Sequence, residues 1–218
     1  MRLFLRFTLA GLSLFPLAVR AEDMPPGFVR LSNVAPTIKQ DIRYAGANNF
    51  MGRKAPGYNS PQCWLRREAA HALAQVQDDL KTKDESLIVF DCYRPNRTSA
   101  AFFAWAMDPN DQIAKQAYYP DIDKTQLFAL GYIARQSSHS TGLTVDLAID
   151  GLDFGTPFDY FDPRSATANS NIPPQAAANR KILVETLRKR GFSNYAEEWW
   201  HFTYQGVQTD KMWDVEIK

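Results

Sequence analysis

Helical and strand-like patterns follow one another in this 218-residue chain without a regular β–α–β alternation. Apolar residues recurring every three or four positions predict amphipathic helices, and short apolar or aromatic runs predict strands. Such an irregular order favours an α+β fold in a single domain, with a central, mainly antiparallel sheet flanked by helices. The predicted elements are extended segments at 28–34 and 37–44, a long loop at 45–61, helices at 64–81, 96–107 and 175–190, and strands at 87–90, 145–149 and 199–204.

Composition and charge argue against two classes of protein. Apolar residues make up 45% of the chain and charged residues 22%, which is typical of a folded domain and too apolar for disorder. The formal net charge is +1, and the sequence contains no basic stripe. We therefore expect no nucleic-acid partner.

The first 21 residues have the pattern of a secretory signal peptide. Arg2 and Arg6 precede an apolar run at 7–17, and the segment ends in Ala-Val-Arg-Ala at Ala21. A run of about 11 residues is shorter than the roughly 20 that a membrane-spanning helix needs. We predict cleavage after Ala21, which leaves an exported, periplasmic domain at 22–218 without membrane contact. A retained N-terminal anchor is the alternative.

Export changes the interpretation of the two cysteines, Cys63 and Cys92. In an oxidising compartment an even number of cysteines favours a disulfide, whereas in the cytosol the same residues would be buried thiols. We therefore favour a Cys63–Cys92 bridge. Two cysteines alone cannot form a zinc-finger site.

Two of the three histidines lie among residues suited to chemistry. His71 lies opposite the apolar stripe of its predicted helix, so we expect it to face solvent. His139 lies in a polar stretch that ends at Asp146, and His201 follows two glutamates and two tryptophans. A catalytic zinc takes three such protein ligands and keeps a fourth position for water. His139, Asp146 and His201 are therefore candidate ligands of one zinc ion, with Gly142 allowing a turn between the first two.

A water molecule at such a site needs a general base, and Glu198 lies three residues before His201. Positions i and i+3 of a strand face opposite sides, so Glu198 must lie in a bend before the strand begins. Trp199 and Trp200 would restrict water and raise the pKa of the carboxyl group. Glu197 is a rival base that spacing does not exclude.

Each candidate also has an ordinary structural interpretation. A histidine beside Ser and Thr is more often a surface or capping residue than a ligand, and a Glu-x-x-His pair often only shares a hydrogen bond. Arg94, at the end of a predicted strand, is a candidate to hold a tetrahedral oxyanion, but an ion pair with Asp91 explains it equally well. Motifs for a serine nucleophile or a phosphate-binding loop are absent from the sequence.

Three motifs occur together: Ser-x-His-x-x-Gly-x-x-x-Asp at 137–146, Glu-x-Trp-His at 198–201 and Tyr-Arg-Pro at 93–95. This combination resembles the zinc D-Ala-D-Ala dipeptidases of the vancomycin-resistance type, within a wider group that includes D,D-carboxypeptidases. The resemblance extends from Asp41 to Phe202. Its further matches are Tyr44, Asn49-Phe50-x-Gly52, Gly57-Tyr58 and Phe158-Asp159.

The resemblance implies an α+β fold with a central antiparallel sheet and one zinc ion per chain at one end of that sheet. It also implies hydrolysis of the dipeptide D-alanyl-D-alanine in cell-wall peptide turnover, with the free ammonium of the substrate facing Asp159 in a small pocket. The implied roles are zinc ligands His139, Asp146 and His201, base Glu198, transition-state stabiliser Arg94, and pocket residues Asp159, Tyr44, Tyr58 and Ser137.

The chain departs from this family pattern in three ways. Thr144 stands where the family usually has Ala, and the segment between Asp146 and Asp159 is short, which suggests a trimmed hairpin at the mouth of the site. Many relatives act in the cytoplasm, so export favours recovery of wall-derived dipeptide over antibiotic resistance. Two rival functions are a D,D-carboxypeptidase that trims wall peptides and a catalytically silent, zinc-stabilised module that binds wall fragments.

Overall fold

The computed structural model describes residues 24–218, so the predicted signal peptide at 1–21 lies outside the described residues. Within the described part of the chain, no helix combines the length and apolar character needed to cross a bilayer. The strands, numbered in chain order, are β1 (Phe28–Arg30), β2 (Lys39–Gln40), β3 (Trp64–Arg66), β4 (Leu87–Asp91), β5 (Thr144–Ile149), β6 (Phe192–Asn194) and β7 (His201–Tyr204). The α-helices are α1 (Leu31–Val34), α2 (Arg67–Lys81), α3 (Asn96–Ala106), α4 (Lys115–Tyr118) and α5 (Pro174–Arg188).

A five-stranded sheet in the order β2–β4–β5–β7–β6 forms the centre of the molecule. β2 pairs in parallel with β4 and the other pairs are antiparallel, which confirms the prediction of an α+β fold with a mainly antiparallel sheet. Every residue of β4 and β5 is buried. In this register Asp91 lies opposite Asp146, and Asp146 lies opposite His201. The sheet thus places three ionisable side chains next to one another where β4 ends and β7 begins.

The two long amphipathic patterns form helices close to their predicted positions. α2 buries Leu73, Val76 and Leu80 on one face, and His71 is exposed as predicted. The first three residues of that pattern belong instead to β3, which forms a two-stranded antiparallel ribbon with β1. α2 also contacts α5, and Asp79 of α2 forms an ion pair at 2.6 Å with Arg190, which lies just beyond the end of α5.

Three strand predictions were too long. The segment 28–34 forms only the three residues of β1 before it turns into α1, and 37–44 forms only the two residues of β2 before a short 3₁₀ helix. β7 begins at His201 because Trp199 and Trp200 lie in a turn and insert into the core. The Trp199 ring stacks on the Phe154 ring at a centroid distance of 4.4 Å. Strand propensity describes only local sequence, so it could not predict this long-range packing.

The predicted loop at 45–61 contains no strand or α-helix, and one buried side chain organises its first half. The amide of Asn49 donates to the carbonyl oxygens of Arg43, Gly46 and Arg53, while its own oxygen accepts from Met51 N. These four hydrogen bonds satisfy backbone groups that a loop would otherwise leave unpaired.

Beyond this loop, Cys63 and Cys92 are joined in a disulfide with an S–S distance of 1.97 Å. The bridge connects the residue before β3 to the residue after β4.

Candidate metal centre

The structure brings His139, Asp146 and His201 together from three different elements. His139 lies in a short 3₁₀ helix (Ser138–Thr141), Asp146 is the third residue of β5 and His201 is the first residue of β7. Gly142 ends the 3₁₀ helix with φ of +78°, and a Cβ at this position would lie 2.3 Å from the ring of Phe28. Only glycine fits this turn without strain, as the sequence predicted for the step between the first two residues.

The three donor atoms form a nearly equilateral triangle. Asp146 Oδ1 lies 3.2 Å from His139 Nε2 and 3.2 Å from His201 Nδ1, and the two nitrogens are 3.3 Å apart. Zinc bonds of about 2.0–2.1 Å in a tetrahedron require donor–donor distances of about 3.3 Å. Asp146 Oδ1 is also buried and accepts no hydrogen bond from any described residue. Both the donor types and their spacing therefore fit a zinc ion.

The ring nitrogens that point away from this cluster have partners of their own. His139 Nδ1 lies 2.7 Å from the carbonyl oxygen of Cys92, and His201 Nε2 lies 3.3 Å from Ser138 Oγ. Such contacts fix the tautomer and orientation of metal-binding imidazoles. Burial alone would raise the pKa of Asp146, but the two adjacent imidazoles hold it well below its usual range.

Glu198 lies in the turn between β6 and β7, as its proposed position relative to His201 required. Its Oε2 is 3.4 Å from His201 Nδ1, and the side chain lines the cavity described below. Burial raises the pKa of Glu198 to about 7. The rival Glu197 is exposed and is not part of the cavity wall. The geometry therefore favours Glu198 as the base.

Arg94 combines the two interpretations that the sequence left open. Its Nε and Nη2 donate to Asp91 Oδ2 at 2.9 and 2.8 Å, so the structural ion pair exists. Nη2 also lies 3.7 Å from Asp146 Oδ2, and the guanidinium stacks on the rings of Tyr44 and Phe102 at 5.1 Å. These contacts hold a positive charge at the wall of the cavity beside the candidate ligands.

Asp91 has a larger part in the site than the sequence indicated. It is completely buried, and besides Arg94 it accepts a hydrogen bond from the hydroxyl of Tyr58 and lies 3.4 Å from His139 Nδ1. One signal in the sequence pointed to Asp91, because it is a carboxylate at the end of a buried strand, three residues before Arg94. From that signal we had predicted only an ion pair.

A cavity of about 230 Å³ opens onto the donor cluster. Asp159 lies in its wall with φ of +60°, is 5% exposed, and accepts a hydrogen bond from the hydroxyl of Tyr44 at 2.8 Å. Burial raises the pKa of Asp159 well above its usual range, and the negative charge of Asp146 adds to the effect. Ser137 also lines the cavity and accepts a hydrogen bond from His139 N.

Tyr58 does not reach the cavity, although it was expected in the substrate pocket. Its side chain is 1% exposed, and its hydroxyl donates to Asp91 behind Arg94. Conversely, Tyr132, Gln136 and Tyr195 line the cavity and were not anticipated. They lie in irregular segments whose position depends on long-range packing, so no local pattern could have identified them.

Sequence comparison identifies the kind of protein that this chain resembles. A family model described as D-Ala-D-Ala dipeptidase, in peptidase family M15, matches residues 24–216. The D-alanyl-D-alanine dipeptidase of Enterococcus faecium is 35% identical over 185 residues, 82% of this chain and 92% of the relative. The corresponding enzymes of Streptomyces coelicolor and Escherichia coli are 33% and 29% identical, covering 83% and 80% of this chain and 92% and 82% of the relatives.

Among solved structures, the LD-carboxypeptidase LdcB aligns with a TM-score of 0.49 at 16% identity, over 84% of this chain and 70% of that chain. A vancomycin-resistance D,D-dipeptidase in complex with a D-Ala-D-Ala phosphinate analog aligns with a TM-score of 0.38 at 16% identity, over 81% of this chain and 66% of that chain.

Proposed function

The chain belongs to the D-Ala-D-Ala dipeptidase family of metallopeptidases, and from this membership we propose that it hydrolyses D-alanyl-D-alanine with one zinc ion per chain. The observation that carries the proposal is the triangle of His139, Asp146 and His201 donor atoms with edges of 3.2–3.3 Å. A carboxyl group with a pKa of about 7 and a fixed guanidinium adjoin it. A purely structural zinc site would need neither of these neighbours.

In this reaction His139, Asp146 and His201 would hold the zinc ion, whose chemistry when bound would be to polarise the peptide carbonyl and lower the pKa of a water molecule. Glu198 takes a proton from the attacking water and passes it to the leaving amine. Its raised pKa suits both steps near neutral pH. Arg94 places its charge where the carbonyl oxygen becomes negative, and the ion pair with Asp91 keeps it there.

Asp159 gives the pocket its preference for a free dipeptide. A buried carboxylate in the cavity wall gains an ion pair from the substrate ammonium. An N-acylated wall peptide lacks that charge and would leave the buried carboxylate with its hydrogen bond from Tyr44 but without an opposite charge, which costs binding free energy. The buried position of Asp159 therefore favours the dipeptidase over a D,D-carboxypeptidase.

Zinc content and turnover of a Glu198→Gln variant test the proposal. We expect the purified protein to contain one zinc ion per chain and to hydrolyse D-Ala-D-Ala until a chelator removes the metal. Glu198→Gln should keep the zinc and lose turnover by at least about 100-fold, since general-base catalysis contributes that much. Glu197→Gln is the matched control and should remain active. Unchanged turnover in Glu198→Gln would remove the assigned base.

A comparison of free D-Ala-D-Ala with an N-acetylated peptide ending in the same two residues tests the substrate class. We expect kcat/KM for the blocked peptide to be lower by more than about tenfold. Equal or better cleavage of the blocked peptide would favour the D,D-carboxypeptidase. Tight binding of both without hydrolysis would favour the silent binding module.

We also propose that the protein acts in the periplasm on dipeptide released from the cell wall. The signal-like pattern at 1–21 and the Cys63–Cys92 bridge support this, because disulfides persist in oxidising compartments. Fractionation of cells followed by N-terminal sequencing of the mature protein tests it. Recovery of full-length protein in the cytoplasm would contradict the proposal.

A further inference from the structure

His139 is held from behind by the backbone of Cys92. Its Nδ1 lies 2.7 Å from the Cys92 carbonyl oxygen. A carbonyl oxygen can only accept, so Nδ1 donates, and Nε2 of the neutral ring keeps its lone pair. That nitrogen faces Asp146 Oδ1 and His201 Nδ1 at 3.2 and 3.3 Å. Asp91 Oδ2 also faces Nδ1, but at 3.4 Å it is the more distant acceptor. The nearer Cys92 carbonyl therefore holds the tautomer and the orientation of one candidate ligand.

Cys92 lies where the chain leaves the central sheet. β4 ends at Asp91, and its register with β5 shifts just before that end. Beyond Asp91 the chain is attached to the β1–β3 ribbon in two ways. Tyr93 N donates to Trp64 O at 2.9 Å, and Cys92 is covalently linked to Cys63. The disulfide is thus the strongest attachment of the residue whose carbonyl contacts His139.

The other half of the bridge is itself anchored. Cys63 N donates to the side-chain oxygen of Gln40 in β2, and Cys63 O accepts from Leu31 N in α1, both at 2.9 Å. Cys63 is fully buried and Cys92 is 2% exposed. The bridge therefore connects Cys92 to two further elements of the fold through a rigid, buried partner.

We propose that the Cys63–Cys92 disulfide is a positioning element of the metal centre. It holds the Cys92 carbonyl in place so that His139 presents Nε2 to the ion. The inference rests on the proposed function, because it takes the ion to be zinc. It adds that the affinity for zinc depends on a covalent bond outside the ligand set.

A Cys63→Ala/Cys92→Ala variant tests this, because it removes the bridge and leaves the Cys92 carbonyl in the chain. We expect the zinc dissociation constant, measured by competition with a chromogenic chelator, to rise about 10- to 100-fold. We also expect the Nδ1 proton of His139 to exchange faster with solvent in nitrogen-edited NMR spectra. If the double alanine variant does not fold, Cys63→Val/Cys92→Ala restores part of the lost volume.

Leu73→Ala is the control for lost stability. Leu73 is fully buried in α2, outside the metal centre, so its truncation should lower Tm while the zinc dissociation constant stays within about twofold of the wild-type value. An unchanged zinc affinity in the bridge variant overturns the inference while the wild-type protein still binds zinc and cleaves D-Ala-D-Ala. A wild-type protein that does neither overturns the proposed function together with the inference.

Discussion

Three carboxyl groups share the cavity but ionise over different pH ranges, because each has different neighbours. The imidazoles lower the pKa of Asp146, while burial raises that of Glu198 to about 7 and that of Asp159 well above its usual range. Carboxyl groups whose environments separate their pKa values can take different roles in one site. Here the separated pKa values fit Asp146 as a metal ligand, Glu198 as the base and Asp159 as the group that binds a positive charge of the substrate.

Asp159→Asn should stabilise the metal-free protein at pH 7. Folding raises the pKa of Asp159, so the folded state disfavours the charged form. The protein therefore loses stability as the pH rises from the pKa of Asp159 in the unfolded state, about 4, toward its higher pKa in the folded state. Asn cannot ionise and can still accept from the Tyr44 hydroxyl, so the gain should be large at pH 7 and vanish near pH 4. Thermal unfolding of chelated protein at several pH values measures this.

The same variant should bind the dipeptide less tightly. Loss of the ion pair with the substrate ammonium should raise KM for D-Ala-D-Ala by about tenfold or more, since hydrogen bonds to charged groups contribute about 1.5–3 kcal/mol. A stability gain that does not depend on pH would show that Asp159 is not the titrating group. An unchanged KM would place the ammonium elsewhere.

Among the elements, the turn between the 3₁₀ helix and β5 decides whether His139 and Asp146 can meet. Gly142 N donates back to His139 O, and Gly142 O accepts from Arg66 N at 2.8 Å. The Phe28 ring covers the glycine and is itself packed against Tyr93 at 5.1 Å. The turn is therefore fixed from both sides and has no room for a side chain.

Gly142→Ala should destabilise the protein more than Gly151→Ala. Both glycines have positive φ, +78° and +81°, so alanine is strained at each. A Cβ at 142 would clash with Phe28, whereas a Cβ at 151 meets nothing within 4 Å. Overpacking should cost Gly142→Ala about 1–3 kcal/mol beyond the backbone strain that both variants share. Urea unfolding of the two variants measures the difference, and equal losses would mean that the Phe28 ring moves aside.

The sequence predicted elements well where one local pattern decided the structure. The apolar spacing of Leu73, Val76 and Leu80 determined most of α2. Trp64–Arg66 fitted the same spacing but form β3, because pairing with β1 outweighs the local pattern. That pairing joins residues far apart in the sequence, so periodicity could not reveal it.

The candidate site shows the same division between local motifs and long-range contacts. Short motifs identified His139, Asp146, His201 and Glu198, which the structure brings together around one small volume. The motif Gly-Tyr also suggested Tyr58 as a pocket residue, yet its hydroxyl lies behind Arg94, on Asp91. A motif specifies which residues occur, whereas the direction of a side chain depends on neighbours from other elements.

At the scale of the whole molecule, the C-terminal segment 213–217 forms backbone hydrogen bonds with three parts of the chain that lie at or near the site. Trp213 N donates to Ser140 O, next to His139, and Asn96 N, near Arg94, donates to Trp213 O. Ile217 N donates to the carbonyl oxygen of Gly57, and Ile217 O accepts from Asn59 N. The segment thus joins the 3₁₀ helix, the start of α3 and the early loop in one backbone network.

Burial of Ile217 should hold this segment in place more firmly than its surface charges do. Ile217 is fully buried, so Ile217→Ala should cost about 2–5 kcal/mol and lower Tm by roughly 4–20 °C. Arg97 pairs with Asp214 and Glu216 at 3.0 and 2.7 Å, but these side chains are largely solvated. Arg97→Gln should therefore lower Tm much less, because exposed ion pairs contribute little to stability. Calorimetry of both variants, with D-Ala-D-Ala turnover measured well below each Tm, tests the comparison. A larger loss of Tm in Arg97→Gln than in Ile217→Ala would mean that the ion pairs, and not the burial of Ile217, hold the C-terminal segment against the site.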